Sequence, residues 1–482
     1  MPLKKNNLTI YNSMSRKKEL FKPITPSFVG IYVCGPTVYG DAHLGHAKSY
    51  ISFDVVVRYF RHLGYHVRYV QNITDVGHLQ SDADEGEDKI AAQARLERLE
   101  PMEIAERYTI HYFRDMDALN VLRPDITPHA SGHIPEQIEM VKKLLEKDIA
   151  YEKNGNVYFS VEKFPGYGKL SGRKLDEIKS GTRVNVLSDK NNPADFALWK
   201  KADATHIMRW KSPWSEGYPG WHLECSCMSS KYLGETFDIH GGGMENKFPH
   251  HECEIAQSES ANGKPFVHYW MHNNMVTVDG TKMGKSLGNF ITVQQALKSH
   301  SAMAIRFFIL SSHYRSTLDF SKDALDAASK GMERILNYYQ KLLNCTTSDK
   351  GPSEELAQAL NLYKTAFAQA MDDDFSTPKA IAATFGFIKD TLPLISKGLF
   401  PDDKERTLDL FRSYIENILG LKLDVAAENG SKKDIDGLMS LILDLRSKLR
   451  QEKNYALSDN IRDGLEKLGI TIKDTPQGTT WE

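Results

Sequence analysis

Three stretches of the chain carry residue types that do chemistry on charged substrates. The first is His43-Leu44-Gly45-His46. Two imidazoles beside a glycine at a helix start suit phosphate handling, because unsatisfied N–H groups and the positive dipole end favour an anion there. His43 and His46 could donate to charge that develops as a phosphate is attacked. Gly45 removes a side chain where a ligand must approach the backbone. Alone, the tetrapeptide equally suits two histidines that cap a helix and face water. The second stretch, Thr281-Lys282-Met283-Gly284-Lys285-Ser286-Leu287-Gly288-Asn289, is a small-residue loop whose two lysines suit phosphates or plain solvent. The third is a scatter of soft ligands: Cys34, Cys225, Cys227, Cys253 and Cys345, some with His222, His240, His250, His251 or Glu254 nearby. No Cys-x-x-Cys is present, so a self-contained zinc ribbon is not expected. His250 and Glu254 stand four apart and so share one helix face. A site built from Cys34, Cys225, His250 and Glu254 would mix sulfur, nitrogen and oxygen, which zinc accepts. Buried free cysteines and a solvated His/Glu pair account for the same residues.

The elements that must position these groups follow from periodicity. Val29–Cys34 reads as a short apolar strand broken at Gly35-Pro36. Ile51, Val55, Tyr59, Phe60 and Leu63 recur at helical spacing, with Gly64 as the stop. Tyr65–Ile73 reads as a second strand, giving half of a nucleotide-binding α/β fold with ligands expected at the strands' carboxyl ends. A polar strand pair is expected within residues 1–28, an acidic segment at 82–88, one helix over Lys89–Leu119 and another over Ile134–Ile149. Asn154-Gly155 turns a hairpin whose strand alternates Val157, Phe159 and Val161. Strand–helix alternation lapses over 120–215, which reads as an insertion, and resumes at Trp221. Phe237–His240 is expected to be a strand ending in a turn at Gly241-Gly242-Gly243, Pro249 opens a helix, and His268–Val278 forms another strand. From about residue 291 the pattern is all helix. Its apolar stripes are Leu356/Leu360/Tyr363/Phe367, Ile381/Phe385/Ile388/Leu392 and Leu438/Ile442/Leu445/Leu449, read as bundle core. Ala426–Lys433 reads as a polar linker.

Composition narrows the class. The chain has 482 residues, 41% hydrophobic and 26% charged, which is ordinary for a soluble globular protein of about three domains. A net charge of −2 gives no bulk signal for nucleic acid, so any such surface must be a local patch. No apolar run approaches a membrane span. The basic start lacks an apolar core, so no secretory signal is expected. Five cysteines, an odd count in a long chain, argue against a disulfide framework and make the cytoplasm the default.

In this order, His43-Leu-Gly-His46 and Thr281–Asn289 together resemble the paired signature of the class I aminoacyl-tRNA synthetases. In that class a His-rich turn and a Lys-rich loop close on ATP from opposite sides, and Gly284 stands where Ser is common. Tyr32-Val-Cys34-Gly-Pro-Thr37-Val-Tyr39, Trp221-His-Leu-Glu-Cys225-Ser, and Phe248-Pro-His250-His251-Glu252-Cys253-Glu254-Ile-Ala-Gln-Ser resemble the cysteine-specific members. So do Leu8-Thr-Ile-Tyr-Asn and Gly469–Trp481, at opposite ends of the chain.

The resemblance implies one zinc ion per subunit on Cys34, Cys225, His250 and Glu254. His251 is the nearest competing ligand, Cys227 and Cys253 are not ligand positions, and Glu245 stands where relatives tend to carry Asp. It implies catalytic roles for His43, His46 and Lys285, and ATP contacts from His43, Gly45, His46, Lys282, Lys285 and Ser286, with Mg²⁺ carried by ATP. Thr37, Thr74 and Trp221 are expected in the cysteine pocket. The implied reaction activates L-cysteine as an adenylate and transfers it to tRNA(Cys), by a monomer, with no editing domain. The implied plan is a Rossmann-type catalytic domain with an inserted subdomain, then an all-α bundle and a small anticodon-binding domain. Its bounds are 1–119 and 216–300 for the catalytic halves, 120–215 for the insertion, 301–345 for tRNA-stem contact, 346–425 for the bundle and 426–482 for the anticodon end. Ser312–Phe320 would begin the bridge to the tRNA stem. Tyr455–Trp481, with Asp459 and Arg462, would meet the anticodon, where Trp481 is either a stacking platform or a core anchor. A ligase passing cysteine to a small amine would lack that end, and an inactive zinc-binding or redox-sensing relative would have lost the phosphate motifs.

Overall fold

The computed structural model describes residues 7–79, 87–174, 189–203, 206–284, 287–348, 353–423, 430–468, 470–475 and 478–481. Lys285, Ser286, most of the acidic segment and the first half of the polar linker lie outside them. The chain forms two compact units, Met1–Lys422 and Leu423–Glu482.

In the first unit β1 (Thr9–Asn12) and β2 (Lys17–Leu20) make the expected antiparallel pair. β3 (Phe28–Val33) is buried almost throughout, as a continuous apolar run requires of a strand covered on both faces. α1 (Leu44–His62) buries Tyr50, Ile51, Val55, Tyr59 and Phe60, and Gly64 at φ +94° turns the chain into β4 (His66–Gln71), parallel to β3. The single helix predicted over 89–119 is instead two, α2 (Lys89–Glu97) and α3 (Pro101–Ala118). Arg98 adopts φ +58° between them, and Pro101, which lacks an N–H, sits where a new helix tolerates it.

Ile126 and His129 bridge to Val70 and Ile73, so the start of the 120–215 segment lies along the edge of the parallel sheet. After α4 (Ile134–Glu146) come β5 (Ala150–Lys153), β6 (Asn156–Phe159), β7 (Phe196–Lys201), β8 (Trp210–Lys211) and β9 (Glu216–Pro219). They form an antiparallel sheet in the order β5-β6-β7-β9-β8, which extends past residue 215. Consecutive antiparallel pairing is why strand–helix alternation lapses here.

α5 (Trp221–Leu233), β10 (Phe237–Gly243), α6 (His250–Asn262) and β11 (Val267–Asn273) complete an all-parallel sheet of order β11-β10-β3-β4. Gly241–Gly243 continue the strand rather than turning. Their small size serves close packing: a Cβ on Gly241 would lie 2.4 Å from the Phe53 ring, and one on Gly242 2.8 Å from His251. The predicted strand 268–278 is likewise two, β11 and β12 (Val276–Val278), and β12 hairpins with β13 (Thr281–Lys282). Beyond 291 the chain is not wholly helical. After α7 (Val293–Leu297) and α8 (Ala302–Leu310), β14 (Leu318–Phe320) pairs parallel with β12.

α9 (Lys322–Asn344), α10 (Ser353–Asp372), α11 (Thr377–Ile395) and α12 (Pro401–Arg412) pack as helices, burying Leu356, Leu360, Tyr363 and Phe367. On α11 the buried face holds Ile381, Phe387 and Ile388, whereas Phe385 and Leu392 are half-buried. Arg306 on α8, fully buried, ties these parts together. It donates to Leu419 O (2.8 Å), Leu119 O (3.0 Å) and Asn120 O (3.1 Å) and pairs with Asp54 of α1.

The second unit contains α13 (Gly430–Gln451), α14 (Tyr455–Lys467) and the antiparallel pair β15 (Ile472–Thr475) and β16 (Gly478–Trp481). Here the predicted third stripe is corrected. Leu438 and Leu445 are 58% and 54% exposed, while Met439 and Arg446 are buried. The inward seam is therefore rotated by one residue, about 100° around the helix.

Candidate active site

Because all four core strands are parallel, their carboxyl ends lie along one edge, and the loops there frame a cleft of about 760 Å³. It is lined by Cys34, Thr37, His43, Gly45, His46, Thr74, Trp221, Cys225, Glu245, His250, Met283 and Gly284, among others.

His43 is the N-cap of α1. Its Nδ1 accepts from the N–H groups of Gly45 (3.0 Å) and His46 (3.3 Å), and the His46 Nδ1 accepts from the His43 N–H (3.3 Å). Reciprocal capping fixes both tautomers: with each Nδ1 accepting, each Nε2 carries the proton. The capping and phosphate-donor readings of the motif are thus compatible, one nitrogen serving each. The rings stack at 3.8 Å, and a Cβ on Gly45 would lie 2.8 Å from the His43 ring. Gly45 therefore makes room for its neighbour's imidazole. Leu44 N donates to Ile291 O, and Phe290 packs edge-on to His43 at 5.0 Å. These contacts bring Met283 and Gly284 of the lysine loop to the cleft. Lys282 is exposed on β13.

Four soft and hard donors meet at another part of the wall. Cys34 follows β3, Cys225 lies on α5, and His250 and Glu254 share a face of α6. One ligand atom from each lies within 4.8 Å of the others. The Cys34 and Cys225 sulfurs are 4.0 Å apart, and His250 Nε2 is 3.1 Å from Glu254 Oε1. His250 Nδ1 is engaged by His222 at 2.9 Å, which leaves Nε2 for the cluster. Glu254 Oε2 meets His240 Nε2 at 2.8 Å. Among the described residues a second group of four, Cys34, His240, His251 and Glu254, shares two members with the first. His251 Nε2 is 3.3 Å from Cys34, and its Nδ1 is engaged by His272. Cys34, Cys225 and His250 line the cleft whereas His251 and His240 do not, so the first group opens to the cleft through three members and the second through Cys34 alone. Cys227 and Cys253 belong to the apolar core under the antiparallel sheet.

Burial dominates the electrostatics. It lowers His250 and His251 well below the usual imidazole range, so both are neutral and able to ligate. It raises Cys34 and Glu254 and pushes Cys225 up to about 11. A divalent cation held by these residues would offset the cost of ionising sulfur and carboxylate.

Thr37 and Thr74 form an isolated parallel bridge across the loop ends of β3 and β4. The Thr74 hydroxyl donates to Glu224 (2.9 Å), whose carboxyl is raised well above the usual range by burial. Trp221 stacks on both His78 (3.9 Å) and His250 (4.3 Å). Sequence reasoning missed His78, Asn72 and Glu224. His78 belongs to no motif, but Asn72 follows the same strand, β4, as Thr74, which was a usable signal. Asn72 Oδ1 accepts from Gly35 N at 2.8 Å, and a Cβ on Gly35 would overlap the Asn72 backbone.

Residues 20–330 match the family model described as tRNA synthetases class I (C) catalytic domain, and residues 366–424 match a DALR domain. A relative from Chlorobium luteolum, named Cysteine--tRNA ligase, is 57% identical over 98% of this chain and 99% of its own length. One of the same name from Thermus thermophilus is 52% identical over 98% and 99%. Among solved structures, a Mycobacterium tuberculosis methionyl-tRNA synthetase in complex with methionyl-adenylate aligns with TM-score 0.57 at 14% identity, covering 81% of this chain and 89% of that one. An Agrobacterium radiobacter LeuRS in a ternary complex aligns with TM-score 0.58 at 12% identity, covering 83% and 85%. At those identities the two structures speak to the fold alone. The end-to-end relatives speak to more: this chain belongs to the cysteine–tRNA ligase family of the class I aminoacyl-tRNA synthetases.

Proposed function

We propose that this chain activates L-cysteine with ATP and transfers it to the 3′ end of tRNA(Cys), with zinc held by Cys34, Cys225, His250 and Glu254. The observation that carries the reading is one cleft lined both by Cys34, Cys225 and His250 of that donor group and by the reciprocally capped histidines. Two sulfurs, one imidazole nitrogen and one carboxylate oxygen form a donor set that fits zinc. When bound there, zinc supplies a soft Lewis acid for the substrate's sulfur, a preference that a serine hydroxyl cannot exploit.

In the first step the cysteine carboxylate attacks the α-phosphorus of ATP, forming cysteinyl-adenylate and releasing pyrophosphate. No protein nucleophile is needed, so catalysis is positioning and charge stabilisation. His43 and His46 direct their Nε2–H groups at the α-phosphate region. Lys282 and Lys285 hold the β- and γ-phosphates, Ser286 contacts ATP, and Mg²⁺ arrives with ATP. Thr37, Thr74 and Trp221 shape the amino-acid pocket. In the second step a terminal ribose hydroxyl attacks the acyl carbon and AMP leaves. Residues 301–345 approach the tRNA stem, and 426–482, with Asp459, Arg462 and Trp481, meet the anticodon. We assign the protein to the cytoplasm as a monomer.

Cysteine-dependent ATP–pyrophosphate exchange without tRNA, followed by charging of tRNA(Cys), tests the reading. Exchange with cysteine but not serine is expected. A Cys34→Ser/Cys225→Ser protein should lose its metal. Unchanged metal content in that variant, or exchange equally supported by serine, would overturn the assignment of the cluster.

A further inference from the structure

We propose that His78 is a positioning residue that sets the direction of the Thr37 hydroxyl and the plane of Trp221, and thereby the fit of the amino-acid substrate. The proposal rests on the function proposed above.

The argument starts from hydrogen-bond inventory. His78 Nε2 lies 2.7 Å from the Lys89 Nζ, and its Nδ1 lies 2.6 Å from the Thr37 Oγ1. An ammonium has three donors and no acceptor, so Nε2 must accept. A neutral imidazole that accepts at Nε2 carries its proton on Nδ1, and that proton goes to Thr37. The Thr37 oxygen is thereby an acceptor from His78, and its own proton turns elsewhere. Thr37 lines the cleft beside Cys34, Cys225 and Trp221, so the wall offers a fixed donor to an anionic or carbonyl oxygen of a bound amino acid. Without Lys89 the ring could take either tautomer, and the hydroxyl could spend its proton on Nδ1.

The same ring acts through packing. His78 lies flat on Trp221, with ring planes 9° apart and centroids at 3.9 Å, and His250 also stacks on the indole at 4.3 Å. The geometry is built in at the backbone as well. Lys89 N donates to His78 O at 2.9 Å, Leu79 bridges Asp88, and Asp88 Oδ2 accepts from Gly77 N at 2.9 Å. Asp88 is also the N-cap of α2, so the helix that carries Lys89 is anchored beside the residue it orients.

The test is steady-state ATP–pyrophosphate exchange. His78→Phe keeps the stack and removes both hydrogen bonds. It should raise the KM for cysteine tenfold or more, leave the KM for ATP within twofold, and leave metal content and melting temperature unchanged. Thr37→Val should raise the cysteine KM comparably. The double variant should be no worse than the more impaired single, because both remove one donor. His78→Asn, which keeps an amide donor near the Nδ1 position but gives up the stack on Trp221, should recover only part of the loss. A cysteine KM unchanged within twofold, an equal rise in both KM values, or multiplying effects in the double variant would overturn the relay. Should the phenylalanine variant not fold, Lys89→Met carries the same test, and an unchanged cysteine KM would again refute it. Absence of cysteine-dependent exchange in the unsubstituted protein would instead refute the proposed function.

Discussion

The double duty assigned to His43 can be taken apart with two substitutions at one position. Nδ1 caps α1 by accepting from two backbone N–H groups, while Nε2–H is the donor offered to phosphate. An asparagine carbonyl oxygen sits close to where the imidazole Nδ1 sits, and Asn is among the best N-cap residues. His43→Asn should therefore keep the cap and lose the donor, whereas His43→Ala loses both. The cap is worth about 1 kcal/mol, which in a unit this large is a melting shift of about 1 °C, seen only in the alanine variant. Removing one preorganised donor from a developing charge costs about 10²–10³ in rate, which both variants should show in adenylate formation. Pre-steady-state exchange, read beside thermal melts of the same samples, separates the two quantities. A His43→Asn protein that exchanges at the unsubstituted rate would refute the catalytic assignment. One that melts with His43→Ala would refute the capping argument.

Gly420 adopts φ +65°, and a Cβ there would lie 2.3 Å from the Arg306 Nη2. Gly420→Ala should cost about 2 kcal/mol or more alone but clearly less after Arg306→Met, and additive melting shifts would contradict the packing. Arg306→Met alone should cost about 3 kcal/mol, the low end for breaking a buried pair, because Asp54 keeps Arg58 at 2.8 Å. Lys48, which donates to Met275 O and Ser316 O, is lowered to about 8 by burial. A native pKa below the unfolded value means the unfolded chain binds more protons between about pH 8 and 10.5. Stability should therefore rise with pH across that window relative to Lys48→Met, by roughly 3 kcal/mol at most. A pH-independent difference between the two melting curves would remove the claim. Cys227→Ala should keep full metal content, and its loss there would mean that the ligand set is wrong.

Local elements were legible wherever one physical cause governed them. Period-3.6 apolar residues and a glycine stop gave α1, and a continuous apolar run gave β3. Errors arose where two causes competed. Residues 89–119 have helical periodicity throughout, yet Pro101 forces a restart that composition alone outvoted. The His240–Gly243 run reads as a turn from its glycines, but those glycines answer to Phe53, remote in sequence, and to His251 on the following helix. On α13 the apolar positions fit two adjacent faces, and burial selects the one through Met439 and Arg446.

The candidate site was legible in a different sense. Within its own stretch of sequence only the His250/Glu254 pair announces geometry, because four residues are one helical turn. Cys34 and Cys225 stand 191 positions apart and meet only because α5 packs against β3, with Cys225 near the start of the helix and Cys34 just past the end of the strand. Resemblance supplied that long-range information. His78 shows what resemblance leaves out, because its neighbours Thr37, Lys89 and Trp221 come from three segments and no spacing rule joins them. A tautomer fixed by a lysine on one side of a ring, and read by a hydroxyl on the other, exists only in the folded arrangement. On the proposed function, the choice among similar substrates turns on such contacts as much as on the metal's donors, because a soft ion would select sulfur while the surrounding donors and planes select which molecule carries it.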